Sequence, residues 1–191
     1  MILKIFQAGE LALRQTARPL TSDEILSESV QRLIEDMRDT MRDAPGVGLA
    51  APQIGLAIQL AVIEDSQDLI DRMPPGQAVE HERRGVPFHV IVNPELTLEN
   101  IAEPVELYEG CLSVAGFRAV VPRVRTVRVD CLNERAEPVT IHAQGWYARI
   151  LQHEIDHLHG KLYIDKMHSR SFMTMENFNR YWKDIPASGA K

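Results

Sequence analysis

Apolar residues recur at Ile25, Leu26, Val30, Leu33, Ile34, Met37 and Met41, three or four positions apart, which predicts an amphipathic helix over 23–43. Thr21-Ser22-Asp23-Glu24 offers a capping box at its start, and Pro45-Gly46 ends it. A strand follows at 58–64. The polar stretch from Asp65 to Pro87, with Pro74-Pro75-Gly76 and His81-Glu82-Arg83-Arg84-Gly85, reads as a long exposed loop. Short apolar runs predict strands at 88–93, 96–101, 105–108, 118–121, 124–132 and 138–143. With no long helix between them, they pair mostly antiparallel. Gly145 then precedes a helix over Trp146–Leu158 with Gly160 as C-cap; it is apolar on more than one side and therefore central. Ser171–Trp182 reads as a last amphipathic helix, and 186–191 as a fraying end.

Composition narrows the function classes. The 191 residues, 45% hydrophobic and 25% charged, suit one globular domain spanning 1–191. A net charge of -6 argues against a general nucleic-acid or anionic-membrane surface and favours small-molecule or peptide partners. No apolar run approaches the roughly 20 residues of a membrane helix, and MILKIFQAGE lacks the pattern of a secretory signal, so a cytosolic location is expected. Two cysteines are too few for a disulfide scaffold. Cys131 alternates with Val127 and Val129 and reads as core. Cys111, in Glu109-Gly110-Cys111-Leu112-Ser113, fits no simple core pattern.

Gly46-Val47-Gly48-Leu49-Ala50-Ala51 satisfies the glycine fingerprint of dinucleotide-binding loops. The fingerprint needs a strand before it and a helix after it, and here a predicted helix precedes and a strand follows. Nor does Ala50-Ala51-Pro52-Gln53 supply the Gly-Lys-Ser/Thr of a P-loop, so these glycines serve another ligand or a turn. His153-Glu154-Ile155-Asp156-His157 is H-E-x-x-H on a predicted helix, which places both imidazoles on one face with Glu154 beside them. A third ligand is needed. The metzincin continuation fails because Tyr163 stands where its last histidine would be. His168 and Glu176 are downstream candidates, and Cys111 is a better one, since a thiolate with two imidazoles makes a soft site for iron(II) or zinc.

Three segments, Gly46–Gln53, Glu109–Ser113 and Gln152–Leu158, resemble in order and spacing the signature motifs of peptide deformylase, and the resemblance runs from about Leu3 to Met167. It implies an α+β fold, with antiparallel sheets around the motif helix between an N-terminal and a C-terminal helix. It also implies an iron(II) hydrolase, in which zinc, nickel or cobalt can substitute, that removes the formyl group from N-formylmethionyl peptides leaving the ribosome. Cys111, His153 and His157 would hold the metal, with Glu154 as general base and acid. The Gln53 side chain and the Leu112 N–H would form the oxyanion hole. Gly46, Val47, Gly48 and Gly110 would lie along the peptide backbone. Val47, Trp146 and Ile150 would line a methionine pocket with Arg118 near its mouth. Glu109 is a candidate to orient a ligand histidine, and Arg123 a partner for Asp156.

Ala115-Gly116-Phe117 replaces the proline that follows Ser-Val or its equivalent in many bacterial members, and with GWYARILQHE it resembles organellar-type members. With no visible transit peptide, a bacterial cytosolic enzyme of that subgroup is expected. Its partners would be nascent formylmethionyl peptides and, transiently, the ribosome, with no membrane and no direct nucleic-acid specificity; a homodimer is left open. Rival readings are a zinc endopeptidase using Glu176 or His168, and a non-catalytic metal-containing factor associated with the ribosome. Formate release from formyl-Met-Ala-Ser marks the deformylase, cleavage of an internal peptide bond the endopeptidase, and bound metal without turnover the non-catalytic factor.

Overall fold

The computed structural model describes residues 1–74, 76–99 and 101–190. Helices α1 (Ser22–Leu26) and α2 (Glu28–Asp43) occupy the span predicted as one helix. The capping box forms as expected, with Glu24 N–H donating to Thr21 Oγ1 at 3.2 Å and Thr21 N–H to Glu24 Oε2 at 2.8 Å. Ser27 breaks the helix because it is extended and its hydroxyl caps α2 through Val30 N–H.

Strands β1 (Gly48–Ala50), β2 (Leu60–Asp65), β3 (Val86–Glu99), β6 (Thr126–Leu132) and β7 (Pro138–Gln144) form an antiparallel five-stranded sheet in the order β1-β2-β3-β6-β7. β4 (Val105–Gly110), β5 (Phe117–Arg123) and β8 (Met173–Thr174) form a second, three-stranded sheet. The strands predicted at 88–93 and 96–101 are largely one strand, β3; Asn100 of that prediction lies outside the described residues. At the join, Asn93 adopts φ 50, the register shifts between Val92 and Glu95, and the Asn93 amide exchanges hydrogen bonds with the Leu20 backbone at 2.9 and 2.8 Å. Asn93-Pro94 is therefore a bulge, not a chain break.

Around β1 and β2 the large sheet is buried on both faces. Along β2, Leu60 and Val62 pack with Ile34, Met37 and Met41 of α2, while Ala61 and Ile63 pack on the other side with Leu151, Ile155 and Leu158 of helix α5 (Gly145–Leu158). This accounts for its unbroken apolar run, since alternate side chains enter two different cores. The opposite side of α5 meets the small sheet through polar contacts such as Arg149 to Val121 O at 2.9 Å, and just past β5 Gln152 bonds both backbone groups of Val124 at 3.2 and 2.8 Å. Thus α5 is central, as its composition predicts.

The span predicted as a loop over 65–87 carries two short helices, α3 (Gln67–Asp71) and α4 (Gln77–Glu80), apart from Pro75, which lies outside the described residues. It is anchored where Arg83 grips the fully buried Asp65 at 2.7 and 2.8 Å. The C-terminal helix begins at α6 (Met175–Asn177) and continues as a π-turn through Trp182, so residues 171–174 are not part of it: Met173–Thr174 instead pair with β5. The predicted fraying is also corrected for 186–190, because Ala187 and Ala190 bury against Val120; Lys191 lies outside the described residues.

Candidate active site

α5 delivers His153, Glu154 and His157 between the two sheets, and β4 runs directly into Cys111. Donor atoms of Cys111, His153 and His157 lie within 4.8 Å of one another. Cys111 Sγ is 3.3 Å from His157 Nε2. One cation with bonds of roughly 2.0–2.3 Å spans such a set with little movement, and the sulfur and two imidazoles are apt ligands, so these residues fit a metal. His168 instead bonds Glu106 at 2.9 Å, and neither it nor Glu176 joins this cluster. Tyr163, at the metzincin position, is a buried phenol whose ring stacks on His153 at 6.3 Å.

The histidines are held from behind. Glu109 Oε2 accepts from His153 Nδ1 at 3.0 Å, which leaves the other ring nitrogen for a ligand. Arg123 grips Glu109 at 2.8 and 3.0 Å and Asp156 at 2.6 Å, as the sequence suggested for Asp156. Arg149 adds a contact to Glu109 at 2.6 Å and donates to the carbonyls of Val121 and Val105. Burial by itself would raise the Glu109 carboxyl, but the Arg123 guanidinium and the His153 ring hold it well below the usual carboxylate range. Burial and the neighbouring His153 push His157 well below the usual histidine range, which favours the neutral form that ligates. His153 lies well above that range; burial lowers it, but Cys111 and Glu109 on either side outweigh the burial, so a proton and a cation compete for this ring.

Glu154 is buried, and that burial lifts its carboxyl to about 7. Its Oε1 abuts Gly48, where any Cβ would overlap it, and its Oε2 has no hydrogen-bond partner among the described residues. Gly48 therefore makes room for the carboxyl as well as leaving the β1 backbone bare. Gln53 is oriented by its own turn. Its Oε1 accepts from Ala50 N–H at 2.8 Å, and its amide nitrogen lies 3.2 Å from Ser113 Oγ and 3.6 Å from Cys111 Sγ. Gln7, far away in sequence, fixes the Cys111 loop by bonding Leu112 O at 2.9 Å and Ala115 N–H at 3.1 Å.

A groove of ≈ 530 Å³ opens on these groups. Gly46, Val47, Gly48, Gln53, Gly110, Cys111, Leu112, Arg118, Trp146, Ile150, His153 and Glu154 all line it; His157 sits behind Cys111. A larger groove of ≈ 1320 Å³ lies between α2, β3 and β7 and contains none of them, so size alone does not mark the chemistry here. Sequence reasoning missed Arg149, Ser113 and Gln7. Arg149 carried a usable signal, as a charge four residues before His153 on a buried helix.

A family profile for polypeptide deformylase matches residues 2–172. The chain is 45% identical over 175 residues to peptide deformylase 1A, chloroplastic, of Solanum lycopersicum, which covers 92% of this chain. It spans only 63% of that plant relative's length. It is 44% identical over 187 residues to peptide deformylase of Bifidobacterium adolescentis, covering 97% of this chain and 82% of the bacterial one. The Met-Ala-Ser-bound crystal structure of class I type b peptide deformylase from Acinetobacter baumannii superposes with a TM-score of 0.76 at 33% identity, covering 87% of this chain and 99% of that one.

Proposed function

Because this chain belongs to the polypeptide deformylase family, we propose that it hydrolyses the N-formyl group of peptides beginning with formylmethionine, releasing formate and a free amino terminus. The observation that carries this reading is Glu154, a buried carboxyl set against bare backbone on the same helix as two of the three donors that fit a cation. The soft donor set of Cys111, His153 and His157 suits iron(II), with zinc, nickel or cobalt as substitutes. Bound there, the ion supplies a Lewis acid that acidifies water and polarises the formyl carbonyl.

Glu154 takes the proton of the attacking water and returns it to the leaving amine. As the formyl carbon becomes tetrahedral, the Gln53 amide and the Leu112 N–H meet the charge gathering on its oxygen. One such donor is typically worth about 10²–10³ in rate. The Gly46–Gly48 backbone pairs with the extended peptide as an added strand, which the position of β1 at the end of the large sheet supports. The methionine side chain enters between Val47, Trp146 and Ile150. Newly made chains carry such termini, so the partner is a nascent peptide, met in transient contact with the ribosome.

The test is formyl-Met-Ala-Ser incubated with protein loaded anaerobically with iron(II). Formate should appear in step with free amine. Cleavage of an internal peptide bond, or a full complement of metal without turnover, overturns the proposal.

A further inference from the structure

Three consecutive residues near the amino end touch both turns that carry the proposed oxyanion donors. Phe6 N–H donates to Gln53 O at 2.8 Å, and Ala8 N–H donates to Ser113 O at 2.7 Å. Between them the Gln7 side chain reaches the Cys111 turn, where its amide nitrogen donates to Leu112 O at 2.9 Å and its Oε1 accepts from Ala115 N–H at 3.1 Å. The Phe6 ring packs against Gly55, at the end of the Gln53 turn, so closely that a Cβ there would come 2.5 Å from Phe6 Cε2. One short run of chain thus bridges the turn at Ala51–Ile54 and the turn over 111–115, which are far apart in sequence.

We propose that Gln7 is a positioning residue for the reaction, its amide setting the Leu112 turn so that the Leu112 N–H and the Gln53 amide converge on the same oxygen. The proposal rests on the deformylase reading of the site. Only two soft torsions separate the Leu112 carbonyl from its own N–H, so a grip on one limits where the other points. Donors stabilise a developing charge only when they are already aimed at it. Glutamine suits this post because its amide donates and accepts at once, whereas methionine, of similar length, offers at most a weak acceptor. Gln7 is exposed, so its hydrogen bonds, exchanged against water, add little to folding. Their effect is on where the turn sits.

The experiment measures kcat and KM on formyl-Met-Ala-Ser for the iron(II)-loaded protein, for Gln7→Met, and for Gln7→Glu, which keeps the acceptor for Ala115 N–H and sets a carboxylate oxygen against Leu112 O. In both variants kcat should fall about tenfold, less than the ~10²–10³ of a donor removed outright. KM, metal content, melting temperature and calorimetric affinity for the product Met-Ala-Ser should hold within about twofold or its equivalent, as expected when only transition-state contacts are lost. Undiminished kcat in either variant overturns the proposal, and so does a fall matched by lost metal or lost product binding, which would make Gln7 a general structural support. If the unmodified protein yields no formate, the deformylase reading has failed. Amide exchange in the zinc-loaded protein then decides the placement of the turn. Ser113 and Val114 N–H, neither of which bonds Gln7, should exchange about tenfold faster in Gln7→Met if Gln7 holds the turn; equal rates overturn it.

Discussion

Glu154 and Gly48 constrain one another, because the carboxyl occupies the space a side chain at position 48 would need. Glu154→Gln preserves the fit and removes the proton carrier. Metal content and circular dichroism should be unaltered while kcat on formyl-Met-Ala-Ser drops about 10²–10⁴-fold. Near-normal turnover would strip Glu154 of its role, and lost metal would move it among the ligands. The cysteines should part company in the same way. Burial pushes the Cys131 thiol up to about 11, so at pH 8 it stays protonated and an alkylating reagent should reach it only after unfolding. Cys111→Ala should lose tightly bound metal, whereas Cys131→Ala should keep it; equal metal content in the two variants contradicts this. The candidate metal and catalytic residues could be picked out because they sit in short segments of unusual composition. Arg149 offered only the signal of a charge on a buried helix; its role could not be read, because its partners Glu109, Val121 and Val105 come from distant strands. Arg149→Met leaves those groups short of a donor within a buried ion network, and urea unfolding should show a loss of about 3–5 kcal/mol. A loss under about 1 kcal/mol would mean that Arg123 alone suffices.

At the level of elements, periodicity located the longer helices and strands, missed the short β1, β8, α3 and α4, and misjudged several joints. Ser27 and Asn93-Pro94 look alike as polar interruptions, yet the first divides a helix and the second only bends a strand, because Asn93 finds the Leu20 backbone across the molecule. Residues 65–87 look like solvent-facing chain until Arg83 meets Asp65. The end of α5 was easier, since Gly160 signalled the stop. Its φ is +68, and a Cβ there would come 2.6 Å from Arg14 O, a backbone atom with little freedom to yield. Gly160→Ala should therefore lower the thermal midpoint by roughly 2–8 °C. Gly9→Ala, with φ +109 and nothing within 4 Å of the added carbon, should lose less. Calorimetry showing equal drops would mean that torsion alone, without the contact to Arg14, sets the cost.

Across the whole molecule, α5 and the small sheet meet through charges and hydrogen bonds, while α5 and the large sheet share a hydrocarbon core. The three candidate ligands straddle the polar seam, with Cys111 at the end of β4 and both histidines on α5. A cation there would fasten the seam. An ion present at a thousandfold its Kd adds about 4 kcal/mol to the folded state, so treatment with a chelator should lower the melting temperature by roughly 8–16 °C. A midpoint indifferent to the chelator would detach the cluster from metal altogether. The strand to which the peptide is assigned has a consequence beyond catalysis. A bare sheet edge invites other sheets to grow from it, and proteins commonly guard such edges with charge, proline or brevity. β1 is three residues long, room enough to hold one passing chain and too little to seed a stack of them. Under the proposed reading, the same shortness that would admit a substrate would also discourage neighbouring copies from fusing into a common sheet.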